Sequence, residues 1–305
     1  LDNRAPLTNP LTPYSPTARK IVSYTGAAYD GITSQGIQFQ PASATTTTKL
    51  SQAQQDSLRT PPAAAPGDGA SVVTYLRGDR SGEVSGGAYR TRAHILGDII
   101  NAEPVVVGKP TASYSDTGYS TFKTNNASRQ RMVFQAGNGG MVQVFNGDTG
   151  AEDWASVPSL LLGSLNALTR KTAFTHLYYI DGTPVSGDVD FNNTYGASGS
   201  ADWRTLVVGG FAKGGRGFYA LDATTPTASD EANAATKVLW EFPNGGTESG
   251  NVSITNPSGV QTPAPVDSDN IGYSYGKPVL VKTKAHGWVV LVTSGYNNGS
   301  GTGTG

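Results

Sequence analysis

Three times in this chain a Pro-Val pair opens an apolar, β-type segment: Pro104-Val105, Pro184-Val185 and Pro278-Val279. Each is followed, after an insertion, by an apolar strand running into glycine: Arg131–Gly137 (RMVFQAG), Arg204–Gly210 (RTLVVGG) and Trp288–Gly295 (WVVLVTSG). The first two continue through a Gly-rich turn into a third strand, Gly139–Gly150 (GGMVQVFNGDTG) and Gly215–Pro226 (GRGFYALDATTP), with Trp154 and Trp240 beyond. An internal repeat constrains the fold more than local propensity does, because one unit cannot bury its apolar face alone and must stack on its neighbours. The unit reads as strand, strand, Gly turn, strand ending in Asn or Asp, Thr turn, and a Trp-bearing fourth strand. Four antiparallel strands per repeat make one propeller blade.

The fold class expected is therefore all-β: a β-propeller fragment with units near 98–180, 181–275 and 276–305, the last incomplete. The Pro-Val pairs lie 80 and 94 residues apart (104 to 184, 184 to 278), against about 40–50 for a bare blade. The excess belongs in insertions. Ser159–Thr169 (SLLLGSLNALT) reads as a helical insertion, and Ser186–Ser200 and Ala223–Ala235 read as surface loops. Residues 1–97 read as an irregular N-terminal extension with low-complexity linkers at 42–48 and 60–69. Within it Ser51–Leu58 predicts a short helix with Ser51 as N-cap, and Ala70–Arg77 fits a strand or a helix. Leu1 stands where a Met would begin a gene product, so an upstream part is expected.

Composition narrows the function. Of 305 residues only 15% are charged, for a net charge of −1, which argues against a nucleic-acid partner, since that needs a basic face. The chain has no cysteine, so a disulfide framework, a Cys-ligated zinc and a thiol nucleophile are all excluded. No apolar run reaches the roughly 18 residues that a membrane span needs.

The stretch Val144–Trp154 (VFNGDTGAEDW) resembles the tryptophan-docking motif of quinoprotein dehydrogenase propellers, Ala-x-Asp-x-x-Thr-Gly-x-x-x-Trp. Thr149, Gly150 and Trp154 match, while Val144 and Asn146 replace Ala and Asp. The second copy keeps Ala220, Asp222 and Thr225, puts Pro226 at the Gly and delays its tryptophan to Trp240. The expected role is architectural: Asn146 or Asp222 accepts turn hydrogen bonds, Gly150 supplies positive φ, and the indole fills the space between blades. A quinoprotein dehydrogenase is the enzymatic alternative, and an outer-membrane assembly scaffold propeller is a third reading. No position here matches a quinone site residue by residue.

For metal, Asp188, Asp190 and Asn192 alternate as oxygen ligands do at the start of a calcium loop. Asn193 stands where that loop needs Gly, and Gly199 where it needs a bidentate Glu. The expectation is weak calcium at those three residues, weighed against a solvated loop; Asp267 and Asp269 form a weaker pair.

A broader resemblance follows from motif order. Tyr75–Ser81 (YLRGDRS), Tyr89–Arg92 (YRTR), Leu96–Pro104 (LGDIINAEP), Arg131–Val133 with Gly137–Met141, and His176–Asp188 (HLYYIDGTPVSGD) come in turn. Trp203–Gly217 (WRTLVVGGFAKGGRG), Tyr219–Asp222 (YALD), Gly272–Val279 (GYSYGKPV) and Ser294–Asn298 (SGYNN) complete the series. It resembles the C-terminal propeller of the PilC/PilY family of type IV pilus tip and biogenesis proteins. The resemblance implies binding and no catalysis: pilus assembly, adhesion or surface sensing, with minor pilins and a host-surface or other extracellular ligand as partners. It implies an exported protein at the periplasm, pilus tip or bacterial cell surface. It also implies a family calcium site in later blades, beyond residue 305, and an upstream von Willebrand A-type domain, neither of which is recognisable here.

Other patterns are weaker. Arg77-Gly78-Asp79 spells an integrin-binding tripeptide inside a family block. Lys213-Gly-Gly-Arg216-Gly precedes a strand, so it reads as a hairpin turn and not a phosphate loop. His94, His176 and His286 lack ligand spacing.

Overall fold

In the computed structural model the described residues are 15–26, 34–42, 47–59, 68–172, 174–193, 199–243, 255–256, 259–260 and 271–297. The extension holds β1 (Ile21–Tyr24), β2 (Gly36–Gln38), α1 (Gln52–Ser57) and α2 (Asp68–Leu76). Helix α1 forms where the capping signal places it. Ser51 Oγ accepts from Gln54 N at 3.2 Å and Gln54 Oε1 accepts from Ser51 N at 3.0 Å, a reciprocal capping box. The ambiguous 70–77 segment is helical. Val72, Val73, Tyr75 and Leu76 fall on one helical face and are all buried.

The first blade is β3 (Val105–Val107), β4 (Met132–Gly137), β5 (Met141–Asn146) and β6 (Glu152–Val157), with α3 (Tyr119–Asn125) in the insertion between β3 and β4. A helical stretch follows at 159–169, including α4 (Leu162–Leu165). The second blade is β7 (Val185–Asp190), β8 (Trp203–Gly210), β9 (Phe218–Asp222) and β10 (Val238–Phe242), with α5 (Glu231–Ala235) between the last two strands. A small ladder joins β11 (Thr255–Asn256) to β12 (Gly259–Val260). The third unit contributes a hairpin, β13 (Val279–Thr283) and β14 (Gly287–Leu291). Each Pro-Val pair thus opens the first strand of its unit, and both complete blades are four-stranded antiparallel meanders.

Two features depart from the sequence reading. First, the extension is not wholly irregular. Strand β1 pairs in parallel with the outer strand β6 (Ile21↔Ala155, Ser23↔Val157), and β2 pairs antiparallel with β1. Blade 1 therefore belongs to a six-stranded sheet, β2-β1-β6-β5-β4-β3. The tetrapeptide IVSY is buried on both faces, so it carries no alternation by which a sequence reader could find it. Second, the expected surface loops at 186–200 and 223–235 contain regular structure: Ser186–Asp190 belong to β7, and 231–235 form α5. Asp188 and Asp190 sit in a strand because neighbouring donors satisfy their carboxylates, as described below. Asp230 caps α5, its Oδ1 accepting from Asn233 N at 2.7 Å.

Two apolar cores result. The larger joins β1, α2, blade 1, the 159–169 stretch and the inner face of β9 and β10; the smaller lies between blade 2 and the third hairpin, around Tyr119, Trp203, Leu206 and Trp288.

Candidate functional site

The blade motif closes the turn between β5 and β6. Asn146 Oδ1 accepts from Asp148 N at 2.9 Å and Thr149 N at 3.0 Å. Asn146 O accepts from Gly150 N at 2.8 Å, and Thr149 Oγ1 accepts from Ala151 N at 3.3 Å. Gly150 has φ of +72°, which a side chain would strain. The turn delivers Trp154 opposite Val144 in the register. Its ring is fully buried, edge-on to Phe134, and its Nε1 donates 2.8 Å to Pro226 O of blade 2. Pro226, the residue that breaks the second copy of the motif, thus supplies the acceptor for the tryptophan of the first.

In blade 2, Asp222 Oδ1 accepts from Thr224 N at 2.8 Å. Trp240 stands opposite Ala220, the register position equivalent to Trp154 opposite Val144. Yet Trp240 is only half-buried and packs at the margin of the second core.

Of the residues expected to hold calcium, Asp188 and Asp190 are on β7 and buried, and Asn192 follows in the turn. Asp188 Oδ2 accepts from Tyr119 Oη at 2.6 Å, and its Oδ1 from Thr205 Oγ1 at 2.5 Å. Burial and this carboxylate hold the Tyr119 phenol well above its usual range. Asp190 Oδ1 accepts from Asn192 N at 3.1 Å and Asp202 N at 2.8 Å. Asn192 Nδ2 donates 2.5 Å to Ser200 O. Both Asp188 oxygens and one Asp190 oxygen thus accept donors from the protein itself, so these side chains serve the fold's own hydrogen bonds. Among the described residues no three His, Cys, Asp or Glu side chains cluster as metal ligands. Asp267, Asp269 and Asn298 lie outside the described residues.

The integrin-like tripeptide is structural on its arginine side. Arg77 is buried; its guanidinium donates 2.6 Å to Glu231 Oε1, 2.9 Å to Phe39 O and 2.7 Å to Arg19 O. Arg19 in turn meets Glu152 through two bonds of 3.0 and 2.5 Å. Glu231 also accepts from Ile21 N at 3.1 Å. This latch fastens the extension to both blades, and sequence reasoning missed it because its members are scattered over more than 200 positions. Also missed was Glu241 on β10, whose carboxylate accepts from Ser159 N (2.8 Å), Ser159 Oγ (2.7 Å) and Leu160 N (3.1 Å). Burial pushes its pKa up to about 7, against the partial offset of those three donors.

A cavity of about 540 Å³ opens beside the β4–β5 turn, lined in part by Tyr75, Arg92, Leu96, Asn138, Gln143 and Phe174. At its edge His176 Nε2 lies 2.9 Å from an oxygen of Asp98, whose carboxyl is held low by Asn138 and His176 against its partial burial. The Asp98 carboxylate is thus engaged by both Asn138 and His176 at the cavity's edge.

What the fold and these surfaces define is a rigid propeller segment whose polar residues serve turns and seams. The PilY1 β-propeller domain family matches residues 96–305. The type IV pilus biogenesis factor PilY1 of Pseudomonas aeruginosa strain PAK is 33% identical over 237 residues, 74% of this chain and 17% of that protein. A PilY1 homolog of Xylella fastidiosa strain Temecula1 is 31% identical over 237 residues, 75% of this chain and 16% of that protein. The crystal structure of the P. aeruginosa PilY1 C-terminal domain aligns over 63% of this chain and 31% of that one, with 26% identity and a TM-score of 0.40. The chain belongs to the PilY1 β-propeller domain family. It spans about a sixth of the length of these curated relatives.

Proposed function

We propose that the protein is a type IV pilus biogenesis factor that works by binding, with minor pilins on one side and an extracellular or host-surface ligand on the other. The observation that carries this is the match of three quarters of the chain to proteins named for that role. The physical form agrees with it: stacked blades joined by buried seams resist load, while insertions on such a scaffold are free to carry recognition. The protein acts outside the cytoplasm, in the periplasm, at the pilus tip or on the cell surface, and no helix among the described residues is long and apolar enough to cross a membrane. The chain acts without catalysis. Support for that comes from the commitment of Asp188, Asp190 and Glu241 to structural hydrogen bonds.

Shearing pili from intact cells and probing the sheared fraction for this protein tests the placement. Recovery in that fraction is expected, and retention in the cytoplasm contradicts the proposal. Addition of quinone and calcium in a dye-linked assay should give no turnover of alcohols or sugars; robust turnover restores the dehydrogenase alternative.

A further inference from the structure

Arg19, Arg77, Arg92 and Arg204 each hold a carboxylate at 2.5–2.7 Å. Three other cations rest on aromatic rings instead. The Arg90 guanidinium carbon lies 3.9 Å from the centre of the Phe174 ring, Lys213 Nζ 4.3 Å from that of Tyr178, and the Arg216 guanidinium carbon 5.6 Å from that of Tyr273. None of the three meets a carboxylate among the described residues. Arg90 Nε donates 3.2 Å to Leu168 O, and its two terminal nitrogens have no acceptor among the described residues. A ring face attracts a cation through its quadrupole without cancelling the charge. It also restricts the side chain, so less freedom is lost when an anion arrives.

The rings set these cations along one stripe. Phe174, His176 and Tyr178 alternate along the segment leading into blade 2, and the His176 and Tyr178 rings meet edge-on at 5.3 Å. Lys213 and Arg216 share the β8–β9 turn and are both exposed. At the Arg90 end lies the cavity of about 540 Å³, lined by Arg90, Phe174, His176 and Leu177 among others. Phe174 and Leu177 are 39% and 41% exposed, so apolar surface is accessible beside the cation. The one carboxylate of the cavity lining, Asp98, is taken up by Asn138 and His176. In a chain of net charge −1 this is a local excess of positive charge.

We propose that this stripe and its cavity bind an acidic peptide segment of a protein partner, with carboxylates on Arg90, Lys213 and Arg216 and an apolar side chain in the cavity. The terminal nitrogens of Arg90 form a fork that suits a carboxylate. A simple polyanion would satisfy the cations and leave the apolar lining unused; a peptide carries both groups. The proposal names a surface for the binding role proposed above and rests on that role.

The test is fluorescence anisotropy with the full-length protein and a fluorescein-labelled peptide of Glu-Leu-Glu-Gly repeats. Binding is expected to weaken as salt is raised. It should also weaken by roughly tenfold or more when Gln replaces Glu in the peptide, or when Arg90→Gln, Lys213→Gln and Arg216→Gln are combined. Lys284→Gln, which removes the same charge from the β13–β14 turn, should change nothing. Equal unfolding midpoints show that the triple variant is folded. No binding by the wild type, or equal binding by the triple variant, overturns the proposal. Polyphosphate competing as well as the unlabelled peptide overturns the peptide assignment in favour of a general anion site. Recovery of the protein with sheared pili alongside failure of this binding would strike the surface and leave the pilus role standing.

Discussion

The two seams between blades use the same register and end up differently sealed. In the first, Trp154 opposite Val144 is fully enclosed and its indole N–H reaches Pro226 of the next blade. In the second, Trp240 opposite Ala220 is only partly buried. That seam is filled instead from the β3–β4 insertion and β8, by Tyr119, Phe122 and Trp203 against Trp288. The first seam closes between the six-stranded sheet that holds blade 1 and the four-stranded sheet of blade 2, and is fastened by the Arg77–Glu231 and Arg19–Glu152 pairs. The second meets a two-stranded hairpin whose Val279 and Leu291 are each about half-exposed. The lesson is that a repeated tryptophan does not define a repeated interface; how much sheet stands opposite decides the burial.

The largest expected effect separates the seams directly. Trp154→Ala should cost about 3–5 kcal/mol, the usual range for truncating a buried aromatic, and Trp240→Ala clearly less. Urea unfolding midpoints of both variants check this, and equal losses would remove the distinction. Next comes the latch over the first seam. Arg77→Ala strands the largely buried carboxylate of Glu231 and should cost about 3 kcal/mol, with a further loss of protease resistance at β1. If the extension stays protected, the latch is not what holds it.

The second seam is probed through Asp188. Asp188→Ala leaves the Tyr119 and Thr205 hydroxyls without their acceptor and should cost about 1–3 kcal/mol. Calorimetry with calcium should show no tight site at Asp188, Asp190 and Asn192, with Asp190→Ala changing nothing. Tight binding lost in Asp190→Ala would mean that the carboxylates exchange their hydrogen bonds for a cation.

A pH slope is also expected at the first seam. Glu241 has a folded pKa raised to about 7 from an ordinary 4.5. Between those values the folded state binds more protons than the unfolded state, so this group makes stability fall as pH rises from about 5 to 7. Glu241→Gln should flatten that slope in urea midpoints measured from pH 5 to 8. An unchanged slope would assign the dependence to other groups.

Much of the blade architecture was legible because each device is local. Pro-Val, the glycine after an apolar run and the Asn146–Gly150 turn all act within a few residues, and all mark real strand ends. Strand β7 was half-legible: Val189 and Phe191 alternate with Asp188 and Asp190, but the acidic pair suggested a loop until Tyr119 and Thr205 were seen to satisfy it. The parallel addition of β1 to β6 was not legible. It depends on partners more than 130 residues away and on ion pairs whose members carry no motif. Family resemblance was carried by motif order, which composition and periodicity alone do not supply.

The most direct test of the account is pilus counting by electron microscopy in a strain deleted for the gene and complemented with wild-type, Trp240→Ala or Trp154→Ala alleles. The account predicts few or no surface pili in the deletion strain, restoration by wild-type and Trp240→Ala, and failure by Trp154→Ala. Normal piliation in the uncomplemented deletion strain would contradict it.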